Sequence, residues 1–228
     1  SKLENNRVEK VFTVAYDKQS IIESVNLAEK YKPVYAIIGI HPSETQDFDI
    51  ETITLLKQYA KHPKVIAIGE IGLDYHYDNV DKPEQKRVFI EQLKLAHELE
   101  LPICIHNRDS IGDCIEILKA NKHLLSFGGV VHCFSESVEI YREIKKLGLK
   151  IAFGGTLTFK NSVQAPEVCK IADMEDIAPF VCGFSDDGRG VDNPDIMREA
   201  MIRAKALDKI ISAHCEDGSC IKDSKEAE

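Results

Sequence analysis

The 228-residue sequence predicts an α/β protein, and more specifically a closed (β/α)8 barrel of the TIM type. Three observations lead to this fold class. Apolar runs rich in β-branched residues alternate with amphipathic stretches, eight such runs can be counted, and the chain is about as long as a small single barrel. An open doubly wound sheet is the alternative, because both folds alternate strands with helices.

The strand candidates are short apolar runs followed by polar or turn-forming residues. In chain order they are VEKVFTVAYD, PVYAIIGIHP, KVIAIGEIGLDY, LPICIHNRD, FGGVVHCFS, LKIAFGGTLTF, FVCGFSDDG and KIISAHCED. Such runs are typical of strands that are buried on both faces of a parallel sheet. The polar residue that ends a run should therefore emerge at the C-terminal edge of the sheet, where barrels build their sites.

The stretches between these runs have the periodicity of amphipathic helices. They are IIESVNLAEKY, ETITLLKQYAK, QKRVFIEQLKLAHELE, SIGDCIEILKANK, SVEIYREIKKLG and NPDIMREAMIRAKALD. In the third, Val88, Phe89, Leu93, Leu95 and Ala96 fall largely on one face, as a helix covering a sheet requires. No Gly/Ser-rich or Pro-rich linker interrupts the pattern, so we expect a single barrel domain over residues 1–228.

Composition and charge narrow the class of protein. Hydrophobic residues make up 43% and charged residues 29%, no apolar stretch approaches the roughly 20 residues that span a bilayer, and the polar start is not a signal peptide. The seven cysteines lack paired CxxC spacing, which favours a reduced chain and a cytoplasmic location. The net charge of -9 argues against a broad phosphate-binding surface, so any nucleic-acid substrate would be held locally.

Three of the apolar runs end in residues that bind metals. Glu70, His106 and His132 occupy equivalent positions in AIGEIGLDY, CIHNRD and VVHCFS. A carboxylate and two imidazoles that converge at one sheet edge form a plausible cluster for one or two divalent cations, with zinc, magnesium or manganese all compatible. The alternative interpretation is that each residue only terminates its strand.

Residues near these three have both functional and structural interpretations. His41 precedes Pro42, and a structural turn explains it at least as well as a place at the pocket mouth. Asp74 follows Glu70 and could orient a ligand or substrate. Asn107 and Arg108 could contact a substrate phosphate, since the guanidinium fork matches phosphate geometry, with a surface ion pair as the alternative for Arg108.

The motifs YAIIGIHP, AIGEIGLDY, LPICIHNRD, GGVVHCFS and IAFGGTLTFKN occur in an order that resembles the TatD family of metal-dependent deoxyribonucleases over residues 1–162. The resemblance implies an amidohydrolase-type barrel, with metals held by Glu70, His106 and His132. Two family hallmarks are missing from the chain: a first strand with an HxH pair, and an ETDAP-like strand whose aspartate binds metal and acts as base.

Residues 173–220 instead resemble dihydroorotase, another amidohydrolase-type barrel, through the SDDG and AHCED motifs. That resemblance implies metal ligands at Asp186, with Asp187 the less favoured choice, and at His214. The chain therefore resembles a chimera or circular permutation of two related barrels, joined near residues 163–172.

The two parts together predict one closed barrel. The first supplies six strands and the second supplies two. In chain order, FVCGFSDDG then replaces the missing ETDAP-like strand and places Asp186 as catalytic base. KIISAHCED replaces the HxH strand, with His214 and Glu216 in HxH spacing, and residues two apart on a strand point to the same side.

A complete site of this kind would catalyse metal-assisted hydrolysis, with Asp186 accepting a proton from the attacking water. Three functions remain open. They are a TatD-type nuclease acting on DNA, a dihydroorotase-like cyclic amide hydrolase, and an engineered or recombined barrel scaffold without activity. The sequence leaves the oligomeric state undetermined.

Overall fold

A computed structural model describes residues 10–153, residue 202, and the backbone of residues 183–185 and 210–212. The chain divides into two compact units. The first comprises Ser1–Val131 with Glu143–Leu149, and the second comprises His132–Arg142 with Lys150–Glu228. Among the described residues, no helix combines the length and the apolar character that crossing a bilayer requires.

The first unit contains a parallel sheet whose strands lie side by side in chain order. These strands are β1 (Val11–Val14), β2 (Val34–Ile38), β3 (Val65–Asp74), β4 (Ile103–Arg108) and β5 (Gly129–Val131). Each falls inside a predicted apolar run. The parallel, sequential order places all the C-terminal strand ends at one edge, as the α/β prediction requires.

Helices connect the strands, as predicted. They are α1 (Lys18–Lys30), α2 (Ile50–Tyr59), α3 (Lys82–Glu98) and α4 (Ile111–Ala120), with short 3-10 helices at Pro42–Asp47 and Lys122–Leu125. α1 begins at a capping box: the Asp17 carboxylate accepts from the Ser20 amide, and the Ser20 hydroxyl accepts from the Asp17 amide. Asp49 and Thr52 repeat this arrangement at α2.

The core of the first unit lies between the sheet and its helices. The five apolar residues predicted to share one face of α3 are all buried, and Phe89 and Leu93 are at most 1% exposed. A second cluster joins Ile37, Ala67 and Cys104 from neighbouring strands, with Phe12 and Val130 packed against it. Cys104 is 7% exposed and packs there as a small apolar residue.

The strand β3 lies inside its predicted apolar run but continues past Glu70. Glu70 was expected as its last residue, yet β3 continues to Asp74 and pairs there with Arg108 of β4. The register between β3 and β4 shifts between Ile68 and Ile71, and Gly72 then adopts a φ of 147° against the backbone of His106. A residue without a Cβ allows this conformation and close approach, so the strand extends past Glu70.

In the second unit, Phe134 and Phe153 are almost fully buried and pack edge to face with their ring centroids 6.3 Å apart. The Phe134 amide donates to the carbonyl of Ala152 at 2.7 Å. A helix α5 (Val138–Lys146) and a short strand β6 (Lys150–Ile151) also follow β5 in the chain.

The last two predicted strands are present as β7 (Gly183–Ser185) and β8 (Ile210–Ser212), which pair in parallel with Gly183 opposite Ile210. Parallel neighbours at these positions agree with the predicted order of the final strands. Closure into one barrel over the whole chain stays a prediction.

Candidate metal centre

Three side chains from the regions of β2, β3 and β4 come together in the first unit. His41 follows β2, Glu70 lies within β3, and His106 lies within β4. Each offers one atom able to bind a metal, and these atoms all lie within 4.8 Å of one another. All three side chains are partly buried, so the cluster can be reached from solvent without being freely solvated.

His106 is held between two carboxylates. Its Nδ1 lies 2.7 Å from Oε1 of Glu70, and its Nε2 lies 3.1 Å from Oδ2 of Asp74. The Glu70 and Asp74 side chains are 17% and 8% exposed, so these contacts form in a partly desolvated environment. Interactions between charged or polar partners are stronger there than in water, which fixes the orientation of the ring.

His41 completes the group. Its ring packs edge to face on that of His106, with centroids 4.4 Å apart. Nδ1 of His41 lies 2.8 Å from the Ser43 hydroxyl and 3.1 Å from the Ser43 amide, while that hydroxyl donates to Glu44 at 3.0 Å. Partners of this kind orient the ring of a metal-binding histidine.

The Asp74 carboxylate has opposing influences on its ionisation. Burial raises its pKa, while hydrogen bonds from His106 and from the His76 amide lower it, as do the charges of His106 and Arg108. The net result is a pKa below the usual value for aspartate. A carboxylate that stays ionised beside His106 adds negative charge to the cluster and favours a bound cation.

Two polar residues follow His106 at the end of β4. Arg108 is exposed at the end of β4, and its guanidinium carbon lies 6.0 Å from the centroid of the Tyr77 ring, which is itself 64% exposed. The Asn107 side chain is positioned differently, because its Oδ1 lies 2.9 Å from the Ser110 hydroxyl. Ser110 also contacts the Leu73 carbonyl, so Asn107 takes part in joining β4 to β3.

The structure brings together two of the three residues on which the sequence prediction of a metal site was based, Glu70 and His106, and adds Asp74 beside them. His41 joins this group and also forms the structural turn that the sequence indicated, because it is the N-cap of the 3-10 helix Pro42–Asp47. The same sequence pattern that indicated the others, a polar residue after an apolar run, also applies to His41.

His132 directly follows β5, as predicted, but belongs to the second unit, so its membership of the cluster stays a prediction. The four remaining predicted or alternative ligands lie outside the described residues: Asp186, Asp187, His214 and Glu216.

The donor set fits a divalent cation. Two histidines and one glutamate are the protein ligands of a well-known class of catalytic zinc sites, and carboxylates also suit magnesium and manganese. The spread of at most 4.8 Å among the donor atoms is close to what the roughly 2.0–2.2 Å bonds of one ion require, after small side-chain rotations. His41, Glu70 and His106 could therefore hold such an ion.

Comparison with known proteins identifies the family. The model of the TatD related DNase family matches residues 1–178. The uncharacterized metal-dependent hydrolase YabD of Bacillus subtilis is 43% identical over 164 residues, which cover 72% of this chain and 64% of that protein. The 3'-5' ssDNA/RNA exonuclease TatD of Citrobacter koseri is 33% identical over 133 residues, which cover 58% of this chain and 51% of that protein.

The crystal structure of YjjV, a TatD homolog from Escherichia coli K12, superposes with a TM-score of 0.75 at 27% identity. The match covers 96% of this chain and 84% of that chain. This chain spans about half to two thirds of the length of the two sequence relatives. With the family model matching most of its length, the chain belongs to the TatD-related DNase family of metal-dependent hydrolases.

Proposed function

We propose that this protein cleaves phosphodiester bonds of single-stranded nucleic acid, with DNA as its substrate. The observation that carries this proposal is that the metal-binding atoms of His41, Glu70 and His106 lie within 4.8 Å of one another, with Asp74 hydrogen-bonded to His106. The Citrobacter koseri relative, named as an exonuclease on single-stranded DNA and RNA, supports the choice of substrate.

The residues have separate roles in this proposal. One or two cations held by His41, Glu70 and His106, and by His132, His214 and Glu216 as further ligands, would polarise the phosphate and lower the pKa of water. Asp74 holds the His106 ring through Nε2. Asp186 would accept the proton of the attacking water, a role that rests on the motif resemblance and requires hydrogen-bond reach of that water.

Substrate contacts are proposed for Arg108, Tyr77 and Asn107. The Arg108 guanidinium would bind a phosphate through its planar fork of donors. The exposed Tyr77 ring beside it offers a face on which a base can stack, a sequence-tolerant contact typical of single-strand binding. Asn107 would act with Arg108 by holding the end of β4 in place through Ser110.

Hydrolysis of a cyclic amide is the second candidate. It is favoured only by the SDDG and AHCED motifs between residues 173 and 220, which resemble dihydroorotase. Both reactions use water activated at a metal, so the cluster serves either. The two candidates differ in substrate and can be separated in a single set of assays.

The test uses the full chain, from which metal is removed with a chelator before zinc, manganese or magnesium is added back. End-labelled single-stranded DNA and dihydroorotate are offered as substrates. We expect metal-dependent release of nucleotides, with His106→Ala and Glu70→Gln each lowering the rate at least about 100-fold because the metal's contribution amounts to several kcal/mol.

His123→Ala is the matched control, since His123 is an exposed histidine after α4. It should retain the parental rate. Cleavage that persists in chelator, or in His106→Ala, would contradict a metal-dependent nuclease, and turnover of dihydroorotate without DNA cleavage would establish the second candidate.

A further inference from the structure

Two buried glutamines of α3 bind the backbone where two strands end. The Gln92 amide accepts a hydrogen bond from the Ile40 N–H at 2.8 Å and donates to the Ile40 carbonyl at 2.9 Å. The Gln85 amide does the same for Asp74, at 2.9 Å and 3.0 Å. Each glutamine thus makes the paired contacts that a neighbouring strand would make.

Both glutamines lie on the buried face of α3, where apolar side chains are usual. Gln85 is 2% exposed and Gln92 is 1% exposed, among Val88, Phe89 and Ala96. A buried primary amide is tolerated only when its donors and acceptor are paired, whereas an apolar side chain has no such requirement. The four hydrogen bonds give the side-chain oxygen and nitrogen of each glutamine a backbone partner and fix two strand ends to one helix.

The two backbone positions are those from which site residues project. Ile40 immediately precedes His41 and lies two residues beyond the end of β2, where the His41 amide also donates to the Tyr16 carbonyl at 2.8 Å. Asp74 carries the carboxylate that contacts Nε2 of His106. Because Gln85 and Gln92 are seven residues apart on α3, the helix spaces the two contacts by about 10.5 Å, two helical turns.

We propose that Gln85 and Gln92 are positioning residues that set the separation of His41 and Asp74 across His106, and thereby the affinity of the site for its cation. This inference rests on the proposed function, in which the cluster binds metal. It assigns to α3, which contributes no ligand itself among the described residues, the placement of two groups around the candidate centre.

The test replaces each glutamine with an apolar side chain of similar size, as Gln85→Met and Gln92→Met in the full chain. Phe89→Leu is the matched control, because it loosens the same helix face between the two glutamines but leaves their hydrogen bonds intact. Zinc or manganese affinity is measured by competition with a chelator, alongside the melting temperature and the kcat and KM values for single-stranded DNA.

We expect each methionine variant to bind metal about 10-fold to 100-fold more weakly, which is the range typical when a contact that holds a metal ligand in place is lost. Each variant should also lower kcat more than it raises KM. Phe89→Leu should lose a similar number of degrees in melting temperature and keep its metal affinity within about twofold of the parent. Equal losses of affinity in all three variants would overturn the proposal, because they would reflect general loosening.

A second set of variants and a second measurement cover two other outcomes. If a methionine variant does not fold, Gln85→Asn and Gln92→Asn keep a side-chain amide that is one methylene shorter and cannot make both backbone hydrogen bonds in the same geometry, and they should show the same selective loss. If the parent binds no metal, the proposed function fails, and crystal structures of the variants then decide. A shift of His41 or Asp74 relative to His106 of more than about 0.5 Å supports positioning, and an unchanged site overturns it.

Discussion

His106 is fixed by what surrounds it on three sides. Carboxylates contact both ring nitrogens, and the His41 and His106 rings pack edge to face. The backbone of Gly72 in β3 lies directly against the main chain of His106. A Cβ at position 72 would clash with the carbonyl oxygen of His106, and the φ of 147° is one that side chains rarely adopt. Placement of this histidine therefore depends on a neighbouring residue that has no functional group.

Replacing Gly72 tests that dependence. Gly72→Ala should destabilise the fold by about 3 kcal/mol, since overpacking and a strained φ each cost about 1–3 kcal/mol, and it should lower metal affinity by moving His106. Urea unfolding and chelator competition measure the two effects. Gly112→Ala is the control: a Cβ there meets nothing within 4 Å, and the helical position should gain up to about 1 kcal/mol. If Gly72→Ala changes neither the free energy of unfolding nor the metal affinity, β4 can shift to accommodate the methyl group without loss of stability.

The residues also show how far sequence reasoning extends. The proximity of Glu70 and His106 was predictable because each is of a residue type that can bind metal and lies in an apolar run, and a parallel sheet brings such runs to one edge. His41 has the same signature, but the following Pro42 allowed an equally good structural interpretation. The structure bears out the turn, since His41 caps the 3-10 helix Pro42–Asp47, and it also places a donor atom of His41 within 4.8 Å of those of Glu70 and His106.

At the scale of elements, strand and helix identities were largely predictable and their exact ends were not. Periodicity identified the apolar faces of α3 and its neighbours, but β3 runs four residues past Glu70, because a register shift and Gly72 extend its pairing with β4. The glutamines of α3 were also missed. A signal existed, since Gln85 and Gln92 are polar residues at the spacing of the buried face, although their backbone partners lie far away in sequence.

The N-terminus of α1 offers a test at the scale of one element. Hydrogen bonds from the Ser20 hydroxyl and amide lower the pKa of Asp17 below its usual value. An aspartate whose pKa is depressed in the folded state contributes stability above its unfolded pKa and loses it as pH falls through the folded value. Asp17→Ala should therefore cost about 1 kcal/mol at pH 7, and less below about pH 4.

Asp17→Asn separates capping from titration in the same experiment. Asparagine caps helices about as well as aspartate but carries no charge, so this variant should keep most of the stability at pH 7 and respond less to acid. Thermal unfolding at pH 7 and pH 3 gives the comparison. An Asp17→Ala penalty that is the same at both pH values would rule out the ionised carboxylate as the origin of the cap's effect.

At the scale of the molecule, the order of parallel strands explains why distant residues meet. His41, Glu70, Asp74 and His106 are spread over 66 residues of sequence, yet successive strands deliver them to one edge of the first unit. The overall charge of -9 opposes an extended track for a polyanion. In the proposed function, affinity for nucleic acid must therefore come from the cation and from a few local groups such as Arg108.

Because few phosphates would be neutralised, the KM for single-stranded DNA should depend only weakly on salt concentration. If only one or two phosphates are neutralised, log KM for single-stranded DNA should rise against log salt concentration with a slope of about 0.7–1.4, since each phosphate contributes about 0.7 on a single strand. Arg108→Ala should lower the slope by about 0.7 and raise KM, whereas Arg108→Lys should restore the slope but only part of the affinity, because lysine lacks the bidentate fork. Lys122→Ala, at an exposed lysine after α4, should change neither the salt slope nor the KM. A steep slope that survives Arg108→Ala would mean that the strand is bound along a surface away from β4, and the local arrangement proposed for Arg108 and Tyr77 would be wrong.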